Sequence, residues 1–307
     1  MTSSARQDAL VRAMPAVFVL IWSTGFIVAR YGMPQAPPMK FLALRYLLSV
    51  VCFAIWAVIA RVRLPSDRRQ VIHLAVTGVL MHAGYLGGVW AAIKFGMGAA
   101  LVALLVVGLQ PVLTAVWVSS RGSRVAGRQW TGLALGFSGL ALVVWHKLGV
   151  GEIDARNFGL ALLALVCSTV GTLYQKHFLA PCDVRAANLV QLIAALLVTL
   201  PLALLESEAI RWNLEFAGAM AWSVLVLTLG GSSLLYLLIQ RGAATAVTSL
   251  LYLVPPCTAL MAWLLFGEPI TLSIIIGMAL TAVGVSLVVR ASGAASGRGG
   301  GTSGQGT

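Results

Sequence analysis

Apolar positions along this chain gather into ten long blocks divided by short polar connections. The blocks run over roughly 13–31, 40–60, 71–93, 97–118, 130–146, 158–177, 188–206, 216–240, 245–266 and 270–290. A helix that crosses a bilayer needs about 20 apolar residues, so each block predicts one crossing. The fifth, seventh and tenth blocks are the shortest or most closely spaced. None alternates polar and apolar positions with a period of two, which argues against an outer-membrane barrel. The predicted fold class is therefore an all-α integral membrane protein with ten transmembrane helices.

A second, longer pattern lies over the first. Thr131–Val144 (TGLALGFSGLALVV) realigns with Ile276–Val289 (IGMALTAVGVSLVV), with 7 of 14 positions identical. The offset is 145 residues, and it also carries Pro111 onto Pro256 (256 − 111 = 145), Gly132 onto Gly277 and Gly139 onto Gly284. Ser23-Thr24 lands on Ser168-Thr169 by the same step. An unbroken register over separate landmarks marks a duplicated unit. Each copy holds five blocks. Five is odd, so the second copy enters the membrane from the opposite face, which predicts two inverted five-helix repeats, a recurrent transporter architecture.

Composition agrees: 59% of residues are hydrophobic and 10% charged, where a soluble domain carries roughly a quarter charged. The net charge of +12 would suit a nucleic-acid partner, but the basic residues sit in short loops. Taken by alternate loops, 14 Lys and Arg fall on one side and 6 on the other, with Arg45 inside a block. Positive loops stay cytoplasmic, which puts both termini inside and excludes a nucleic-acid role. The predicted order is a cytoplasmic N-terminal segment (1–12), a first repeat (13–146), a periplasmic linker (147–157), a second repeat (158–290) and a flexible Gly/Ser/Thr-rich cytoplasmic tail (291–307). The first apolar run is followed by Arg30-Tyr31 and reads as a retained span, not a cleaved leader. Cys52, Cys167 and Cys257 lie within blocks and Cys182 in a loop, with no metal-ligand spacing. The chain predicts no metal and no cofactor, and His73, His82, His146 and His177 are too scattered and too short of acidic companions for an enzyme.

Within the blocks the candidate chemistry is sparse. No Asp or Glu lies in the middle of any block, so no carboxylate is placed to trade a proton for cargo. His82 is the one central group that titrates near neutral pH; a histidine satisfied within the bundle and a substrate contact are both open readings. His82 and Tyr85 share a helix face, with Val89 and Trp90 beyond them. Ser232, Tyr236 and Gln240 recur every four residues with Ser233 beside them, and Trp90 and Tyr236 lie 146 apart, suggesting facing aromatic walls. Small polar residues also simply join membrane helices. The repeated pairs Ser23-Thr24 and Ser168-Thr169 suit either a central site or a duplicated packing contact. Gln110 precedes Pro111, and Tyr252 precedes Pro255-Pro256. Proline removes a backbone donor, so Pro111, Pro255 and Pro256 are candidate flexion points beside a cavity. Arg45 lies five residues into its block, where snorkelling to the interface competes with a gate or carboxylate-binding cation.

Several of these residues carry a resemblance. Trp22-Ser23-Thr24-Gly25-Phe26, Leu44-Arg45-Tyr46, Leu109-Gln110-Pro111, Gly132/Gly139, Pro255-Pro256, Phe266-Gly267-Glu268-Pro269 and Gly277/Gly284 occur in the order and spacing of the EamA family of the drug/metabolite transporter superfamily. Over residues 14–290 the chain resembles that family, and within it the YddG-type bacterial amino-acid exporters. One departure is that Glu268 maps onto Ser123 in the first half. The resemblance implies a bacterial inner-membrane exporter in which spans one, three and four of each half line a central cavity. Trp22, Ser23, Thr24, His82, Tyr85, Trp90, Gln110, Ser168, Thr169, Ser232, Ser233, Tyr236 and Tyr252 are then the expected substrate contacts. The expected cargo is a neutral or aromatic amino acid, moved by facilitated uniport in a lipid-embedded monomer. Another small metabolite or drug, exported with proton coupling, is the alternative.

Overall fold

The computed structural model describes residues 3–120, 127–149, 151–234 and 253–298. Among these residues the chain forms ten helical rods and no strand: α1 (Ser3–Gly32), α2 (Pro38–Ile59), α3 (Arg68–Lys94), α4 (99–120), α5 (Gly127–Gly149), α6 (Ala155–Phe178), α7 (Val184–Leu205), α8 (Leu214–Leu234), α9 (Val254–Phe266) and α10 (Leu272–Arg298). Five of them (α2, α3, α6, α7 and α8) are long and apolar enough to cross a membrane by length and composition. Four others carry shorter apolar stretches, at Ala16–Gly32, Ala99–Thr114, Val254–Phe266 and Leu272–Gly284. The rods outrun the apolar blocks at both chain ends, so 3–12 extends α1 and 291–298 extends α10. Ser123, Tyr236, Gln240 and Tyr252 lie outside the described residues, as does the start of the ninth block.

Local chemistry sets the helix ends. Asp154 and Asn157 form a reciprocal capping box at the start of α6, and Asp67, Asp183 and Asn213 cap α3, α7 and α8 with their side chains, each satisfying an amide that the helix leaves unpaired. Gly267 ends α9 at φ 66°, the left-handed conformation that glycine adopts without strain. Inside the rods, three stretches widen to π-helical geometry: Val79–Leu86 in α3, Leu104–Gly108 in α4 and Trp222–Gly231 in α8. The first and third are related by the repeat, since 79 + 145 = 224 and 86 + 145 = 231. The hydrophobic pattern held no sign of them.

Packing between the halves follows the same relation. α2 lies on α7, α4 on α9 and α5 on α10, so three helices pack on their own counterparts. Other contacts come in exchanged pairs: α1 on α8 with α3 on α6, α1 on α9 with α4 on α6, and α2 on α8 with α3 on α7. The α5–α10 crossing shows why the repeated glycines recur. A Cβ on Gly139 would stand 2.5 Å from the Gly277 carbonyl oxygen, and one on Gly277 would stand 2.6 Å from the Gly139 carbonyl oxygen. Gly284 meets Gly132 equally closely. Moving seven residues back along α5 (139 − 132) thus moves seven forward along α10 (284 − 277), so the two helices run antiparallel. Large apolar side chains such as Val58, Ile59, Leu197 and Leu204 face outward, and Trp145 and Trp212 stand exposed near rod ends.

The two ends of the bundle differ. At the end where α1 gives way to α2, carboxylates clasp neighbouring loops together. Glu206 accepts from the Met39 and Lys40 backbone N–H groups at 3.0 and 2.8 Å. Glu152 and Glu268 accept from the Gly98 and Ala99 N–H groups at 3.0 and 3.3 Å. Both acids thereby sit at helix N-termini, where the helix dipole favours negative charge. Lys94 pairs with Glu208 at 2.8 Å, Arg30 with Glu268 at 3.7 Å, and Lys147 with Glu152. At the opposite end the described links are Gln70 with the Ala180 backbone and His73 with Tyr174 at 2.7 Å. There Asp183 bonds Arg185, whose guanidinium holds the carboxyl below the usual carboxylate range.

Replacing Gly139 or Gly277 by alanine forces α5 and α10 apart at their closest approach. Overpacking of this kind costs about 1–3 kcal/mol. Each variant should therefore melt at a lower temperature in detergent, whereas alanine at Gly159, which meets no neighbour, should not.

Candidate functional site

A cavity of about 270 Å³ lies between α1, α2, α3, α6, α7 and α8. α1 presents Trp22, Gly25 and Phe26 to it, and α3 presents Met81, His82, Tyr85, Leu86, Val89 and Trp90. These α3 residues span the π-helical stretch and the turn after it, and wider turns bring more of one helix to one wall. α7 contributes Val184, Ala187, Asn188 and Gln191, at the i, i+3, i+4, i+7 spacing of a single helix face. From α8 come Leu227, Thr228 and Ser232. Gln175 on α6 and Val184 on α7 carry the lining toward the end of the bundle opposite the carboxylate clasp.

The wall is aromatic with a few polar points. Tyr85 stands beside Trp22, and His82 beside Gln191. Tyr46 donates to the His82 carbonyl oxygen at 2.8 Å. Thr228 donates to the Ser223 carbonyl oxygen at 2.8 Å, and Ser232 donates to that of Thr228. Asn188 donates to the Val184 carbonyl oxygen at 2.8 Å, and its side-chain oxygen lies 3.4 Å from the Ser232 hydroxyl oxygen. Phe41 backs Trp90 with ring centroids 4.4 Å apart, and Phe216 stands edge-on to Phe41 at 5.5 Å.

The one formal charge on the described lining is Arg45. It does not snorkel. Only 6% of it is exposed, its Nε and Nη2 donate to Thr228 Oγ1 at 3.2 and 3.1 Å, and its guanidinium carbon lies 5.9 Å from the Trp90 ring centroid. Seven residues past the start of α2 (45 − 38), it lies deep enough for neighbouring rods to cover it. No Asp or Glu lines the cavity among the described residues.

Of the residues predicted from sequence, Trp22, His82, Tyr85, Trp90, Ser232 and Arg45 meet at this cavity. Ser23, Thr24, Gln110, Ser168, Thr169 and Ser233 are not on its described lining. Ser23 donates to the Val19 carbonyl oxygen at 2.7 Å and faces Val254 and Thr258 of α9. Ser168 donates to Leu165, while Gln110 of α4 reaches the Ser168 carbonyl oxygen at 3.3 Å. Ser23 and Ser168 therefore occupy equivalent α1–α9 and α6–α4 packing contacts, while Thr24 accepts from Trp222 Nε1 of α8 at 3.0 Å. Thr169 and Ser233 likewise return to their own helices, at Leu165 and Leu229. Pro111 follows the π-helical stretch of α4, and Pro255 and Pro256 lie in the first described turn of α9 beside Gly108 and Thr281.

The second span of each half, α2 and α7, lines the cavity, whereas α4 and α9 contribute nothing to its described wall. The residues missed are Gln175, Asn188, Gln191 and Thr228. A signal existed for two of them, because Asn188 and Gln191 are amides three apart inside an otherwise apolar block.

Comparison with known proteins gives this geometry a context. The EamA-like transporter family matches the chain twice, over residues 13–145 and 157–290. The chain is 27% identical to the uncharacterized transporter YvbV of Bacillus subtilis, over 89% of each chain. It is 25% identical to a probable amino-acid metabolite efflux pump of Salmonella typhimurium, over 88% of this chain and 92% of that one. The uncharacterized inner membrane transporter YedA of Escherichia coli is 24% identical over 91% and 90%. A solved crystal structure shares the fold, with a TM-score of 0.60 at 18% identity and coverage of 90% of this chain and 95% of that one.

Thr228→Val removes the one side-chain acceptor that Arg45 has among the described residues. Leaving a buried charged donor unsatisfied costs about 1–3 kcal/mol. The purified variant should melt earlier than wild type by that amount, and Thr228→Ser, which keeps the oxygen, should recover most of the loss.

Proposed function

The chain belongs to the EamA-like transporter family, and on that premise we propose that it exports neutral and aromatic amino acids from the cytoplasm by alternating access, as the YddG-type exporters it resembles would. The observation that carries this reading is the cavity wall. Arg45 suits a carboxylate, the Asn188 and Gln191 amides suit a polar backbone, and Trp22, Phe26 and Tyr85 suit an apolar side chain. The kinship with a probable amino-acid metabolite efflux pump points the same way.

In this reading all ten rods lie in the membrane, with α5 and the four shorter apolar stretches completing two inverted five-helix repeats. The antiparallel glycine crossing of α5 and α10 and the exchanged helix contacts support the inversion. The positive-loop bias puts both termini in the cytoplasm. The carboxylate clasp then closes the periplasmic end, and the cavity reaches toward the cytoplasm past Gln175. The resting form is inward-facing. Rocking of the halves opens the clasp and closes the Gln70–Ala180 end. The cavity is built within one chain, so a monomer is the transporting unit.

The lack of an acid on the described wall favours uniport over proton exchange. His82 favours the alternative, in which another metabolite or drug leaves in exchange for protons. Proteoliposomes loaded with labelled phenylalanine, leucine or threonine should release them faster than protein-free vesicles, and a pH gradient alone should drive no accumulation. Uphill accumulation that His82→Ala abolishes would replace uniport by proton coupling. Release no faster than from empty membranes, for every amino acid tried, would end the amino-acid reading.

A further inference from the structure

Arg45 carries a positive charge that meets no carboxylate among the described residues. Eight of the nine acidic residues have described places, and every one lies in a loop or at a helix end. Asp67, Asp154 and Asp183 cap helices. Glu206 and Glu215 bond loop and helix-end groups, while Glu152, Glu208 and Glu268 pair with Lys147, Lys94 and Arg30. Asp8 stands fourteen residues before Trp22 (22 − 8), about 21 Å of helix rise away. The stretch 235–252 contains no Asp or Glu at all. Two guanidinium nitrogens share the Thr228 hydroxyl oxygen, and no further hydrogen-bond partner of the group occurs among the described residues. Burying an unpaired cation at membrane depth is expensive, and such residues mark functional paths.

An ammonium group entering the same cavity meets the reverse situation. No carboxylate receives it, and Arg45 repels it across a space of about 270 Å³. Neutral acceptors are all that the described wall offers. The electrostatics of the site thus ask for one anion and no cation.

Resting on the export reading above, we propose that the cavity is a receptor for an organic carboxylate held by Arg45, and that the amino group of the cargo is dispensable. The class it takes includes N-acylated amino acids and 2-oxo acids with apolar or aromatic side chains, which cross as monoanions. A consequence separates these from zwitterions. Moving one negative charge outward across an inside-negative membrane is favoured about fifty-fold at about 100 mV, so such cargo leaves uphill by uniport, without a proton-carrying acid in the bundle.

The test compares four labelled compounds in proteoliposomes: phenylalanine, N-acetylphenylalanine, phenylpyruvate and phenethylamine, with a valinomycin potassium potential on or off and protein-free vesicles subtracted. N-acetylphenylalanine and phenylpyruvate should leave at least as fast as phenylalanine, and an inside-negative potential should speed them several-fold but leave phenylalanine unchanged. Phenethylamine should not move. Arg45→Gln should slow the two anions at least tenfold, with partial recovery in Arg45→Lys. Release of phenylalanine and phenethylamine without the two anions overturns the carboxylate receptor and leaves amino-acid export standing. So does anion release that Arg45→Gln does not change. Release of the anions without phenylalanine upholds it and overturns amino-acid export. If nothing moves, the export reading fails and binding decides. Stabilisation of the detergent-purified wild type against heat by N-acetylphenylalanine, and not by phenethylamine, upholds the receptor. Equal or absent effects overturn it. This ligand series needs no variant, so it stands even where Arg45→Gln fails to fold.

Discussion

Away from water, a polar group must find its partner inside the protein, and that constraint decides which residues of this chain are free to act. Several short hydroxyl side chains meet it alone, while the buried hydroxyls of Ser49, Thr199 and Ser223 go without a partner. Ser23, Thr169, Ser233 and Thr281 each donate to a carbonyl oxygen four residues back on their own helix, a local bond open to Ser and Thr. Once satisfied there, they have little left for a ligand. Side chains with more donors, or a charge, cannot be settled so locally. Arg45, Asn188, Gln191 and His82 are of that kind, and they converge on one cavity.

The same solvent leaves the halves without a hydrophobic drive to associate, since lipid is as apolar as leucine. Close backbone approach takes its place. Gly139 against Gly277 and Gly132 against Gly284 bring α5 and α10 together. Gly78, Gly84 and Gly88 let α3 run against Gln191, Cys167 and Leu160 of the second half. The third helix thus serves two ends. Its glycine side meets α6 and α7, and its aromatic side faces the cavity.

This explains which features could be read in advance. The apolar blocks and the 145-residue offset are properties of the chain as a string, and the rods and the family match follow them closely. Trp22, His82, Tyr85 and Trp90 were legible because large aromatic or titratable groups stand out from an apolar run. Residue type alone could not separate the Ser-Thr pairs of α1 and α6 from a binding site, because a hydroxyl bonded to its own helix and one bonded to cargo look alike in sequence. Arg45 was placed too near the surface because depth was counted along one helix, while burial depends on the rods beside it. The π-helical stretches left no trace, for their wider turns come from how α3 and α8 pack and not from any breaker residue.

No residue of the carboxylate clasp is on the described lining of the cavity. Glu206 and Glu152 hold helix N-termini through backbone amides, so their grip does not depend on which side chains their partners carry. A change at the cavity wall can alter what is recognised without touching the latch. In the proposed export cycle, a change at Glu206 or Glu152 would act on how readily the bundle opens and not on the described lining of the cavity. Such a division lets related chains drift apart in specificity while keeping their tempo, or change tempo while keeping their cargo.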